Sequence, residues 1–179
     1  MYLNAKKLAF LGLLLAFDVV LIILSGILEF NTLFLLAAAS FCVGIAIRES
    51  SKQFGFGFFL ASILLGLILA PNKFHCITYA AMGLYLVVVE YAFDQLAKIK
   101  GNSNSRRKSL FWLIKYLTFN VMYLPILFLL PKLIYQGNLN IKLLAVFILA
   151  GQVALFIYDK AYEYFQRSVW GKMRGYLKL

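Results

Sequence analysis

Apolar runs of similar length, separated by short polar breaks, dominate the chain. A helix that crosses a bilayer needs about 20 predominantly apolar residues, each adding about 1.5 Å of rise. The first such run is Lys7–Leu28, followed by a tight connection over Glu29–Thr32. The second, Leu33–Ile47, is short and ends at the polar turn Arg48-Glu49-Ser50-Ser51-Lys52. The third is Phe54–Ala70, stopped by Pro71-Asn72-Lys73, and the fourth is Cys76–Leu96. After the longest polar stretch, Lys98–Lys108, a fifth run covers Leu110–Leu130 and stops at Pro131. A loop carrying Gly137, Asn138 and Asn140 leads into the sixth, Leu143–Tyr158. The pattern predicts an all-α integral membrane protein, with a bundle of six transmembrane helices over residues 1–160 and no soluble domain.

The tail, 161–179, has a different period. Tyr162, Phe165, Val169, Met173 and Tyr176 recur at three- and four-residue steps, with Arg167, Lys172 and Arg174 between them. This spacing predicts an amphipathic helix on the cytoplasmic membrane surface, with Trp170 and Tyr176 at the interface. The competing reading extends the sixth helix into water.

Composition agrees with the pattern. Hydrophobic residues make up 63% of the chain, charged residues only 14%, and mean hydropathy is +0.85. A soluble domain carries about a quarter charged residues. Lipid removes the need for a polar surface. Lys6 and Lys7 before an apolar run resemble the start of a signal peptide, but the run is too long and no A-x-A-like site follows. A retained first helix is expected.

Charge sets orientation. The net charge of +11 would suit nucleic acid, but the cations cluster between apolar runs, as in cytoplasmic loops. With the N-terminus inside, Lys73, Lys132 and Lys142 fall outside, Lys115 lies within a span, and the remaining 14 of the 18 Lys and Arg lie inside. Both termini are therefore expected in the cytoplasm of a multi-pass cell-membrane protein, with lipid and not nucleic acid as the surrounding partner.

Candidate chemistry is sparse. Cys42 and Cys76 form no CxxC pair and His75 has no companion, so no metal site, disulfide or cofactor is expected. HExxH, GxSxG, Walker and GxGxxG patterns are missing, and nothing points to an enzyme. Polar residues at membrane depth are the informative ones, because they are costly there and usually face the bundle interior. By helical rise, Glu90 and Lys115 both fall roughly 9 Å from the inner boundary and are the expected ion pair. Asp18 and Asn120 fall roughly 16 Å deep, near the midplane, and Gln152 lies near the middle of the sixth span. Asp18, Asn120 and Gln152 are the candidate solute-binding residues. Asp18 either lines a polar cavity or satisfies a neighbouring helix.

Small residues stand four apart in several spans: Gly12 with Ala16, Ser40 with Gly44, Gly57 with Ala61. Such spacing lets helix backbones approach closely. At about 100° per residue, Ala16 and Asp18 point about 200° apart. The first helix can therefore turn its small-residue face to a partner and its acidic face to the bundle.

The size, six spans and topology resemble the substrate-binding S components of energy-coupling factor transporters, a bacterial family. Lys6–Phe17, KKLAFLGLLLAF, is similar to their first helix, whose small residues four apart dock a membrane scaffold subunit. Gly12 and Ala16 occupy those positions. The resemblance implies a membrane-embedded subunit that binds a small solute for transport, working with scaffold and ATPase subunits. The connection Glu29–Thr32 is shorter than the lid many members carry. Cell-shape membrane subunits of bacterial rod complexes are similar in fold and size and bind proteins, which gives the alternative of a non-transporting scaffold or partner-binding subunit. The first reading expects an aromatic-walled pocket near Asp18. The alternative expects a filled bundle with an exposed small-residue face.

Overall fold

Each apolar run forms a helix in the computed structural model of the protein, which describes residues 5–98, 104–129 and 140–177. The helices are α1 (Ala5–Ile27), α2 (Thr32–Glu49), α3 (Lys52–Leu69), α4 (Lys73–Lys98), α5 (Asn104–Leu129) and α6 (Ile141–Tyr164). All six are long and apolar enough to cross a membrane, and the described residues contain no strand. Pro131 and the loop carrying Gly137 and Asn138 lie outside the described residues.

Local chemistry sets several ends. The Ser51 side chain caps α3 by accepting a bond from Phe54 N at 3.4 Å, and Asn140 caps α6 by accepting from Ile141 N at 2.7 Å. Lys73 Nζ donates to the carbonyls of Leu67, Ile68 and Ala70, which closes α3 with a cation at its negative end. Helix α5 begins at Asn104, inside the stretch expected to be loop. Its first turns, rich in Arg and Lys, lengthen the helix beyond its apolar run.

The centre is α2, packed against α1, α3 and α4. Ile22, Leu36, Ala39, Val43, Ala46 and Tyr79 form the middle of the core. Outer faces are apolar at helical spacing: Leu13, Phe17 and Val20 on α1, Leu113, Leu117 and Val121 on α5, Val146, Leu149 and Val153 on α6. Asp18, Ser40, Ser62, Lys115 and Asp159 are buried. Polar groups inside and hydrocarbon outside is the arrangement that lipid favours.

Contacts define the two ends of the bundle. At the end where α1 begins and α6 finishes, Lys52 meets Asp94 at 3.3 Å and the Phe10 and Trp170 rings lie 5.6 Å apart. At the far end Gly26 lies under Pro71, where a Cβ would come within 2.8 Å of the ring. The terminal end therefore collects the α2–α3 connection, the end of α4, the start of α5 and the tail.

The tail departs from the expected surface helix. The chain runs on from α6 through a π-helical turn, Phe165–Trp170, into α7 (Gly171–Leu177). Tyr162, Gln166 and Trp170 are buried, and Phe165 packs on the core. Of the row expected to form a membrane-surface stripe, Tyr162 and Phe165 turn inward while Val169 and Met173 are exposed. The inward face is Tyr162, Gln166 and Trp170. The π turn widens the helix by one residue, a device common at functional positions, and carries that face over the end of α2.

Candidate functional site

Asp18, Asn120 and Gln152, expected near the midplane, do not assemble as one site. Asp18 is fully buried, and Tyr79 Oη donates to its Oδ2 at 2.6 Å. Its Oδ1 has no hydrogen-bond partner among the described residues. Asn120 and Gln152 do meet: Gln152 Nε2 donates to Asn120 Oδ1 at 2.9 Å, and Asn120 Nδ2 donates to the Tyr116 carbonyl at 2.8 Å. One turn away Tyr123 Oη donates to the Phe147 carbonyl at 2.8 Å. These bonds join α5 to α6, far from the Asp18 contact between α1 and α4.

Glu90 and Lys115 do not pair with each other. Glu90 holds Arg48 through two bonds, Nε to Oε2 at 2.8 Å and Nη2 to Oε1 at 2.7 Å. A planar guanidinium fits a carboxylate in this forked way. Tyr162 Oη also donates to Glu90 Oε1, at 2.6 Å, and Gln166 Nε2 donates to Tyr162 Oη at 3.1 Å. The tyrosine reaches Glu90 because α2 has no side chain at Gly44, where a Cβ would overlap the ring. Ser40, one turn earlier, meets Tyr158 Oη at 2.7 Å. The small ridge of α2 thus receives two tyrosines of α6 spaced by one turn.

Lys115 has its own counterions. Its Nζ lies 2.8 Å and 2.9 Å from the two oxygens of Asp159, and 3.1 Å from Glu163 Oε1. Tyr85 Oη donates to Asp159 Oδ1 at 3.0 Å, and Lys160 joins Glu163 at 2.9 Å. The Lys115 ammonium also sits over the Phe111 ring, 4.3 Å from its centroid, close enough for cation–π attraction. A third acid at this end, Glu49, accepts from Trp170 Nε1 at 3.0 Å and from Arg174 Nε at 3.1 Å.

Arg48, Glu90, Tyr162, Lys115 and Glu163 border a cavity of about 460 Å³ between α2 and α4 on one side and α5 and α6 on the other. Its cations are Arg48, Lys108, Lys115, Lys160 and Arg167, and its lining carboxylates are Glu90 and Glu163. Val89, Phe93, Phe111 and Trp112 supply apolar wall. A second cavity of about 240 Å³ adjoins it, sharing Phe93, Lys108 and Phe111 and adding Leu96, Ala97 and Arg107. Asp18, Asn120 and Gln152 line neither.

Sequence reasoning missed Arg48, Asp159 and Glu163. In the sequence Arg48 falls in a polar turn, and the sixth apolar run ends at Tyr158, one residue before the first acid. The signal was present: Tyr158 with Tyr162 and Asp159 with Glu163 are both four-residue steps that continue the helix. Gly12 and Ala16 are both exposed, and a Cβ on Gly12 would meet nothing within 4 Å. On the same helix Asp18 faces inward, as their angular separation requires. Among the described residues, no group of three or more His, Cys, Asp or Glu is placed to hold a metal ion. No protein-family model, curated sequence or solved structure matches this chain.

Proposed function

We propose that this chain is the solute-binding subunit of a membrane transporter, inserted with both termini in the cytoplasm and docked through α1 onto a scaffold subunit that couples it to ATPase subunits. The observation that carries the reading is the cavity beside Glu90 and Lys115. A volume of about 460 Å³ lies within the 300–1,000 Å³ typical of ligand sites, which combine apolar walls with a few placed polar groups. A bundle needing only stability would fill this space with side chains. The likeness to S components of energy-coupling factor transporters supports the same reading, with Gly12 and Ala16 as the docking positions. The expected pocket at Asp18 does not form part of it.

A second reading, a partner-binding subunit that transports nothing, draws support from the filled contact at Asp18 and Tyr79 and from the exposed small face of α1. The two separate in one experiment. Protein purified without added ligand should release a small molecule on denaturation, identified by mass spectrometry. Val89→Phe, which narrows the cavity without touching its charges, should lose that molecule. An empty wild-type protein that still co-purifies with a partner would favour the scaffold.

A further inference from the structure

The charges around the cavity do not balance. Arg48 is taken up by Glu90, Lys115 by Asp159 and Glu163, and Lys160 by Glu163. Lys108 and Arg167 also line the cavity, and neither has an ion-pair partner among the described residues. They come from different elements, Lys108 from the first turns of α5 and Arg167 from the π turn, yet they border one space. Lys108 is about 6 Å along α5 from its start, and Lys115 about 10 Å further in. The uncompensated Lys108 and Arg167 are both exposed, at the mouth of the cavity, with the neutralised Lys115 deeper.

The walls add a second requirement. The smaller chamber is mostly apolar, and it meets the charged one at Lys108, between Phe93 and Phe111. Phe93 is 54% exposed, so this seam between α4 and α5 opens on the outside of the bundle. A free anion would satisfy the cations and leave the apolar chamber unused.

We infer that the paired cavities hold one acidic phospholipid, with its phosphate between Lys108 and Arg167 and an acyl chain along Phe93, Leu96 and Phe111. The assignment rests on the reading of this cavity as a ligand site and names the ligand class. Basic pockets between spanning helices on the cytoplasmic side select acidic headgroups in this way. Trp112, itself partly exposed, adds an indole to the cavity wall, a side chain suited to a membrane interface.

The test is competitive native mass spectrometry on detergent-purified protein mixed with equal amounts of phosphatidylglycerol and phosphatidylcholine. The wild type should retain phosphatidylglycerol with a preference of about tenfold or more, as expected for two charge-assisted contacts. Lys108→Gln with Arg167→Gln keeps the apolar stems and breaks no ion pair, and it should lose that preference. Lys142→Gln with Lys172→Gln removes as much charge away from the cavity and should keep it. Equal retention of both lipids by the wild type, or a Lys108–Arg167 variant indistinguishable from it, overturns the inference. Displacement of the lipid by equimolar inorganic phosphate overturns it in favour of a free anion. A retained solute without phosphate overturns the lipid and leaves the solute-binding function standing, whereas a cavity that retains nothing removes both.

Discussion

Lys115 is 1% exposed, Asp159 is fully buried, and each is the other's main counterion. Two charges so placed are held by their mutual attraction and by the bond from Tyr85, and removing one strands the other. Lys115→Met should therefore lower unfolding stability in detergent by about 3–5 kcal/mol, because Asp159 loses its cation. Asp159→Asn should cost less, since Glu163 still faces the lysine. The double variant should recover much of the Lys115→Met loss, and additive losses would show that the pair is not coupled. Depth along the sequence puts Glu90 and Lys115 at one level and suggests that they pair; both line one cavity, but each holds another partner. Depth fixes one coordinate and leaves azimuth open. Arg48 sits near the end of α2, where a loop cation and an inward one have the same sequence signature.

Between elements, the glycines divide into covered and open positions. Gly44 lies under Tyr162, so a side chain there displaces the ring and its bond to Glu90. Gly12 lies under nothing, and Ala16 beside it is exposed. Gly12→Leu with Ala16→Leu should leave the thermal unfolding of the isolated chain within about 0.5 kcal/mol of wild type. The same variant should abolish co-purification with the scaffold partner, because bulky side chains prevent close backbone approach. Gly44→Leu should do the reverse, lowering stability by about 1–3 kcal/mol through overpacking. A Gly12–Ala16 variant that unfolds early, or one that keeps the partner, would remove docking from this face. Small residues four apart were legible in the sequence, but whether they meet a tyrosine or lipid was not. That distinction depends on a helix more than a hundred positions away.

At the scale of the whole molecule, the alternation of six helices carries the cations to one end. Lys7, Arg48, Lys52, Lys98, Lys108, Arg167 and Lys172 lie at the end that holds the termini, and Lys73 and Lys142 at the other. Six apolar runs made the helices legible at once, because hydrocarbon demands a length and a composition that few other structures share. The join between α6 and the tail was illegible for the converse reason. Tyr158 to Trp170 alternates inward polar and aromatic groups with outward ones, and such a face fits a membrane surface or a neighbouring helix equally well. The cation bias predicts an orientation with both termini in the cytoplasm, since Lys and Arg near span ends are preferentially retained there. With Cys42 and Cys76, both buried, replaced by alanine, single cysteines report the side. Asn31 and Ser105 are both exposed, the first at the far end and the second at the terminal end. An impermeant maleimide applied to intact cells should label Asn31→Cys, while Ser105→Cys should label only after the membrane is opened. The opposite pattern would place the termini outside, and with them the charged cavity. That result would also remove the cytoplasmic leaflet as the source of its ligand, so labelling bears on the lipid assignment as well as on the topology.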